Sequence, residues 1–242
     1  VGYLQIACDE ERLEEMRRSA AFMRTRGINC NDITVDEVRE HWPKAKLDDV
    51  IAGFFTSEDG RANPVDLTMS LAKGARNQGA RIIEGVSVTG VHKEQGRVTG
   101  VSTDQGDIEA PIVVNCAGMW ARQFGEMAGV NLPLQAAEHY YLITDNMEGM
   151  HRDLPILEDP DSYAYYREEV GGLMIGLFEP VAKAWNVDHI PENFAFGEID
   201  PDMDRMMPFL EKAYERVPEA IELGIRKFFC GPESFTPDLA PL

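Results

Sequence analysis

Two short stretches concentrate side chains able to do proton and charge chemistry. Glu138–Asp145, EHYYLITD, sets His139 beside Tyr140 and Tyr141, and Ser162–Glu168, SYAYYRE, holds Tyr163, Tyr165, Tyr166 and Arg167. Imidazole changes charge near neutral pH, so His139 is a candidate proton acceptor. An arginine such as Arg167 can hold a carboxylate through two parallel hydrogen bonds. Both stretches alternate as strands, and residues two apart in a strand share a face. If His139 points into a pocket, Tyr141 joins it and Tyr140 does not; by the same rule Tyr163 and Tyr165 share a side. The structural alternative is a hydrogen-bonded histidine within a strand and aromatic packing in a sheet.

A third stretch, Gly106–Trp120, reads as hairpin, strand, small-residue turn and helix. The β-branched run Ile112-Val113-Val114 predicts a strand buried on both faces. Cys116-Ala117-Gly118 then allows a tight exit, and Trp120, Phe124, Met127 and Ala128 predict one apolar helix face ended by Gly129. A strand that ends in small residues before a helix suits an anionic or nucleotide ligand. The alternative is an ordinary turn in which Gly118 relieves a φ constraint.

The elements that must position these stretches follow in order. Val1–Ala7 alternates as a strand that starts in mid-architecture. Asp9 heads a helix with Leu13, Met16, Ala20 and Met23 on one face, and Thr34 with Glu37 forms a capping box for a short helix ended by Pro43. Pro64 opens a third helix whose apolar face is Leu67, Leu71 and Ala75. Strands are predicted at Ile82–Ile83, Val86–Val91, Arg97–Thr103 and Asp107–Asn115, and EHYYLITD, SYAYYRE and GGLMIGL together predict an antiparallel sheet. A helix broken at Pro208 and Pro218 precedes a last strand and a proline-rich exit. Neither end of the sequence carries a start or stop signal, so the expectation is an internal piece of a larger protein.

The 242 residues hold 42 acidic and 23 basic side chains, a formal charge of −19. That charge repels nucleic acid and anionic membrane surfaces, so neither is an expected partner. No apolar run approaches the ~20 residues of a membrane span, and no secretory leader opens the sequence. Cys8, Cys30, Cys116 and Cys230 are scattered without a CxxC pair and predict reduced, buried thiols, no metal site and a cytoplasmic location, or the mitochondrial matrix in a eukaryote.

Taken together, DGRANPVDLTMSLAKGARNQGARI, VSVTGV, GRVTGVSTDQG, VVNCAGMWAR, EHYYLITD, YYRE and GPESFTPD resemble the FAD-dependent dimethylglycine and sarcosine dehydrogenase family of the D-amino-acid oxidase superfamily. The resemblance runs along nearly the whole chain, on the middle section of that family. It implies an α/β and α+β architecture: a partial Rossmann-like FAD-binding domain interleaved with an antiparallel-sheet substrate domain flanked by helices. Residues 1–60 would be the first part of the substrate domain, 61–133 the middle of the FAD domain, 134–232 the substrate sheet with its helices, and 233–242 the start of the last FAD segment. The family's GxGxxG is not present, and whether this piece holds FAD unaided is left open.

The resemblance also implies roles. Val88, Ala117, Gly118 and Trp120 would contact FAD; His139 and Tyr165 would be catalytic; Tyr141, Tyr163 and Arg167 would bind substrate. The implied reaction is oxidative demethylation of dimethylglycine or sarcosine, with hydride passing from the N-methyl carbon to flavin N5. A flavoprotein or oxygen would take the electrons, and tetrahydrofolate could bind in a further C-terminal domain. The alternative of another class is a non-catalytic relative, similar to the regulatory subunit of pyruvate dehydrogenase phosphatase.

Overall fold

The computed structural model describes residues 1–191 and 193–240; Glu192, Pro241 and Leu242, the last two at the end of the proline-rich exit, lie outside the described residues. Along the chain run β1 (Tyr3–Ala7), α1 (Glu10–Thr25), β2 (Cys30–Ile33), α2 (Val35–His41), β3 (Ala52–Thr56), α3 (Pro64–Asn77), β4 (Val88–Glu94), β5 (Arg97–Thr103) and β6 (Gly106–Glu109). Then come α4 (Ala121–Met127), β7 (Gln135–Asn146), β8 (Ile156–Asp159), β9 (Ala164–Glu169), β10 (Gly172–Leu177), α5 (Met203–Arg216) and β11 (Ile225–Phe235). The contacts divide the chain into two units, one of residues 1–61, 139–182 and 198–231, the other of 62–138, 183–197 and 232–242.

The first unit is organised on an eight-stranded sheet in the order β11-β7-β10-β9-β8-β1-β3-β2. It is mixed: β7, β10 and β9 pair antiparallel as the alternation predicts, β8, which the alternation did not announce, adds antiparallel to β9, and β1 pairs parallel to β8. Asp9 caps α1 by accepting from the Arg12 N–H, and the Thr34–Glu37 capping box closes as read, each satisfying amides that a helix start leaves unpaired. On one face Leu4, Tyr140, Leu142, Leu157, Tyr166, Ile175 and Leu177 pack with Val38 and Trp42 of α2 and Met206, Leu210 and Ala213 of α5. Each such buried side chain stabilises the unit by roughly 1.5–3 kcal/mol. On the other face α1 covers Ala7, Cys30 and Phe54, on β1, β2 and β3. Beyond β1 that second face carries half-buried residues on β7 and β9, His139, Tyr141, Ile143, Tyr165 and Arg167, with the buried Met174 and Gly176 of β10 between them.

Pro208 does not break α5, which runs through it from Met203 to Arg216; Pro218 opens a 3-10 turn instead. A proline there removes one hydrogen bond to the turn before, and the buried stripe of Met206, Leu210 and Ala213 outweighs that loss.

The second unit is built differently. Its sheet has three antiparallel strands, β4-β5-β6. Asn63 caps α3 and Pro64 starts it as read, but the helix buries none of its residues, and Leu71 of the expected apolar face is 67% exposed. The expected strand through Asn115 stops at Glu109; Ile112 and Val114, read as buried on both faces, are 77% and 75% exposed. Ile82 and Ile83 likewise form no strand and are exposed. The cause is common to the last two stretches: β-branched sequence favours extended backbone, but among the described residues no neighbouring strand offers these runs a ladder of hydrogen bonds. Cys30 and Cys230 are buried and Cys8 half-buried, but Cys116 is exposed, which corrects the expectation of four buried thiols. Among the described residues no helix is long and apolar enough to cross a membrane.

Candidate functional site

The half-covered face of the eight-stranded sheet brings together most of the residues singled out by type. Along β7 the burial alternates, with Tyr140 and Leu142 fully buried and His139, Tyr141 and Ile143 on the other side, so the predicted sharing of a face by His139 and Tyr141 holds. The register sets Tyr141 opposite Gly176 and Gly176 opposite Tyr165, while Ile143, Met174 and Arg167 form the next row. Phe178, just past β10, links the strands: its ring centroid lies 4.9 Å from that of His139 and 5.4 Å from that of Tyr165. Tyr141 stacks on Phe229 at 4.5 Å. The result is an aromatic surface holding an imidazole and a phenol on strands either side of β10.

Tyr163 does not share the side of Tyr165. It precedes β9 with a φ of +57°, and that left-handed turn interrupts the alternation on which the expectation rested. Its ring meets Phe209 of α5 edge-on at 6.0 Å, with the Lys212 ammonium 5.2 Å away, on the side of the sheet covered by α5. Arg167 does lie on the aromatic face, but its guanidinium is engaged by Glu169 at 2.9 Å and by the Met174 sulfur at 3.0 Å.

Two residues of this surface escaped the sequence reading. At Gly176 a Cβ would run into the Tyr165 ring, so the glycine is what lets the phenol lie flat across β10. Glu158, opposite Tyr165 in the register, is half-buried and accepts a hydrogen bond of 3.0 Å from the Gln5 amide. Burial, with Asp159 adding to it, pushes its carboxyl above the usual carboxylate range. The signal available in the sequence was parity: Glu158 and Gln5 alternate with the apolar Leu157 and with Leu4 and Ile6, a pattern that places both on the less covered face.

At the edge of the same unit, Arg216 (6% exposed) donates to Asp159 (1% exposed) at 2.8 Å, and to Asp49 at 2.8 and 3.0 Å. It also donates to the Lys46 carbonyl and the Cys8 sulfur. Cys8, Asp159 and Asp161 bring possible ligand atoms within 4.8 Å of one another. Burial, followed by the charge of Asp159, raises the Cys8 thiol to about 12, so it stays protonated at neutral pH, and the arginine already supplies the positive charge. This cluster ties β1, β8 and α5 together.

The second unit contains the other predicted locus. Gly118 and Trp120 lie in a 3-10 turn, Gly118–Trp120, which Ala117 caps and which leads into α4, a helix of seven residues. The Asn115 side chain shapes this corner, accepting from the Ala117 N–H at 3.2 Å and donating to the Ala121 carbonyl at 2.9 Å, an Asx-type contact that the sequence reading overlooked. Gly118 has a φ of +56°, and a Cβ there would meet nothing within 4 Å, so its backbone can be approached closely. Val88 begins β4, the outer strand of the small sheet, where one edge of the backbone has no partner strand among the described residues. Lys93, towards the end of β4, donates to the Ala128 carbonyl at the end of α4 at 2.6 Å.

Comparison with known proteins bears on both loci. The chain is 36% identical over 246 residues to the mitochondrial sarcosine dehydrogenase of Mus musculus, a match covering 100% of this chain and 26% of that protein. It is 35% identical over 237 residues to the 4-methylaminobutanoate oxidase (formaldehyde-forming) of Paenarthrobacter nicotinovorans, covering 98% and 29%. The chain thus spans about a quarter of the length of these relatives. Among solved structures, the L-proline dehydrogenase of P. horikoshii superposes with a TM-score of 0.85 at 25% identity, over 100% of this chain and 62% of that one. The sequence pattern described as DAO, FAD dependent oxidoreductase, matches residues 1–242, and the chain belongs to that family.

Proposed function

We propose that the protein containing this chain oxidises an N-methylated amino acid, sarcosine or dimethylglycine, with FAD as the oxidant. The observation that carries the reading is the meeting of His139 and Tyr165 on the two sides of the exposed Phe178. The relatives support it: sarcosine, 4-methylaminobutanoate and L-proline, the substrates in their names, are all carboxylates carrying a secondary amine.

The corner at Gly118 is open to close approach and Val88 lies on the outer strand of its sheet, so both fit a nucleotide cofactor, with Ala117 and Trp120 beside the corner. FAD supplies the acceptor for the hydride that leaves the N-methyl carbon. The chain's own task is to prepare the amine. Alkylammonium groups lose their proton near pH ~10.4, so at neutral pH the nitrogen must be deprotonated before its lone pair can assist loss of hydride. His139 takes that proton, and the Tyr165 hydroxyl, fixed above Gly176, hydrogen-bonds the freed amine. Tyr141 lines the same face. Arg167 holds the substrate carboxylate by sharing its guanidinium with Glu169.

The test uses the full-length protein. Anaerobic addition of sarcosine or dimethylglycine bleaches the flavin, and His139→Ala and Tyr165→Phe each slow bleaching by about 10²-fold or more. Unchanged rates would remove both residues from the chemistry. Absence of bound flavin, or no bleaching by either amine, would favour the regulatory alternative.

A further inference from the structure

We infer that Glu158 is the recognition carboxylate for the substrate's ammonium group and selects amines over neutral analogues of the same shape. The inference rests on the amine-oxidation reading above.

Other buried or half-buried carboxylates on the strands of this unit have a cation. Glu168 takes Arg61 at 2.7 Å, Glu169 takes Arg167 at 2.9 Å, and Asp159 takes Arg216 at 2.8 Å. Among the described residues no basic side chain pairs with Glu158, whose hydrogen bond comes from the neutral amide of Gln5. A carboxylate drawn partly out of water without a counter-ion is costly, and the cost is offset when a cation docks against it. Its raised proton affinity has the same origin.

The neighbourhood says which cation fits. Glu158 lies directly across from Tyr165 in the β8–β9 register, on the aromatic face with Phe178, His139 and Tyr141. Because the Tyr165 ring leans over Gly176 towards β10, the β8 side of that tyrosine is left to Glu158. Aromatic faces beside one carboxylate favour an alkylated ammonium: the rings attract its polarised methyl groups and the carboxylate attracts its charge. A metal ion would want several oxygen ligands, and a guanidinium or an unmethylated ammonium would not use the rings as well. The Glu158 contact acts on the ammonium as it arrives, before His139 removes the proton, so its effect falls on binding.

The experiment titrates the full-length holoenzyme, reduced anaerobically with dithionite so that no amine is oxidised, and reads heat of binding. Sarcosine is compared with methoxyacetate, which replaces the NH2⁺ by an ether oxygen and keeps the shape. Wild type is expected to prefer sarcosine; Glu158→Gln is expected to lose about tenfold or more for sarcosine and little for methoxyacetate. Glu158→Asp, which keeps the charge, should retain the preference. Equal sarcosine affinity in wild type and Glu158→Gln, or equal loss for both ligands, overturns the assignment. Wild type that binds neither sarcosine nor dimethylglycine overturns the underlying amine reading itself, a different and recognisable result.

Discussion

The two units of this chain spend their apolar residues in opposite ways. In the first, strands and helices meet over Leu4, Tyr140, Tyr166 and Met206, all fully buried. In the second, a well-capped helix leaves Leu67 and Leu71 exposed, and Ile82, Ile83, Ile112 and Val114 are exposed and belong to no strand. Helix capping is satisfied in both; burial of these apolar stretches is satisfied in only one. Helix caps and β-branched runs specify backbone conformation, but stability comes from the surfaces those elements cover.

The sharpest way to break this contrast is to remove Arg216. Arg216→Met strands Asp159 as a buried, unpaired charge and should cost about 3–5 kcal/mol in urea denaturation. Leu71→Ala in the second unit should cost within about 0.5 kcal/mol. Equal costs would erase the distinction. Next, Gly176→Ala should cost about 1–3 kcal/mol by forcing the Tyr165 ring away, and most of the loss should vanish in a Tyr165→Ala background, measured as a double-mutant cycle. Thiol labelling sharpens the comparison without mutation: an alkylating reagent should modify Cys116 first, while Cys8, raised to about 12, and buried Cys30 and Cys230 react on unfolding.

The smallest effect expected is at Asp49. Hydrogen bonding from Arg216 holds its carboxyl below the ordinary range. A carboxyl whose folded pKa is lowered stabilises above its unfolded value, about 3.9, and that contribution is lost as pH falls through the folded pKa. Asp49→Asn should therefore destabilise slightly at neutral pH and not at all in strong acid. Denaturation midpoints across that range check it.

Capping residues and period-2 alternation made much of the first unit legible. Asp9, the Thr34–Glu37 box and the EHYYLITD pattern act within a few residues, and their outcome depends little on the rest of the chain. Alternation failed at Tyr163 because one left-handed residue reverses the parity of what precedes it, and no glycine or asparagine at that position announced the turn. The run through Ile112 and Val114 was misread for another reason: extended sequence becomes a strand only beside a partner, and partnership is a property of topology. In the candidate site, His139 and Tyr165 could be named by type, but Gly176 and Glu158 acquire meaning only from register, which brings residues from separate strands opposite one another.

The Tyr165 ring rests on a bare α-carbon, so the floor of the site beneath it is main chain. A floor of that kind does not yield to a rotamer change. A bulkier ligand on this face would call for a smaller side chain at 165 itself, which gives up the hydroxyl, or for room taken from Phe178 and Tyr141 at its flanks. Change in ligand size at such a surface is therefore channelled to those flanking rings, while positions 165 and 176 are free to vary only as a pair.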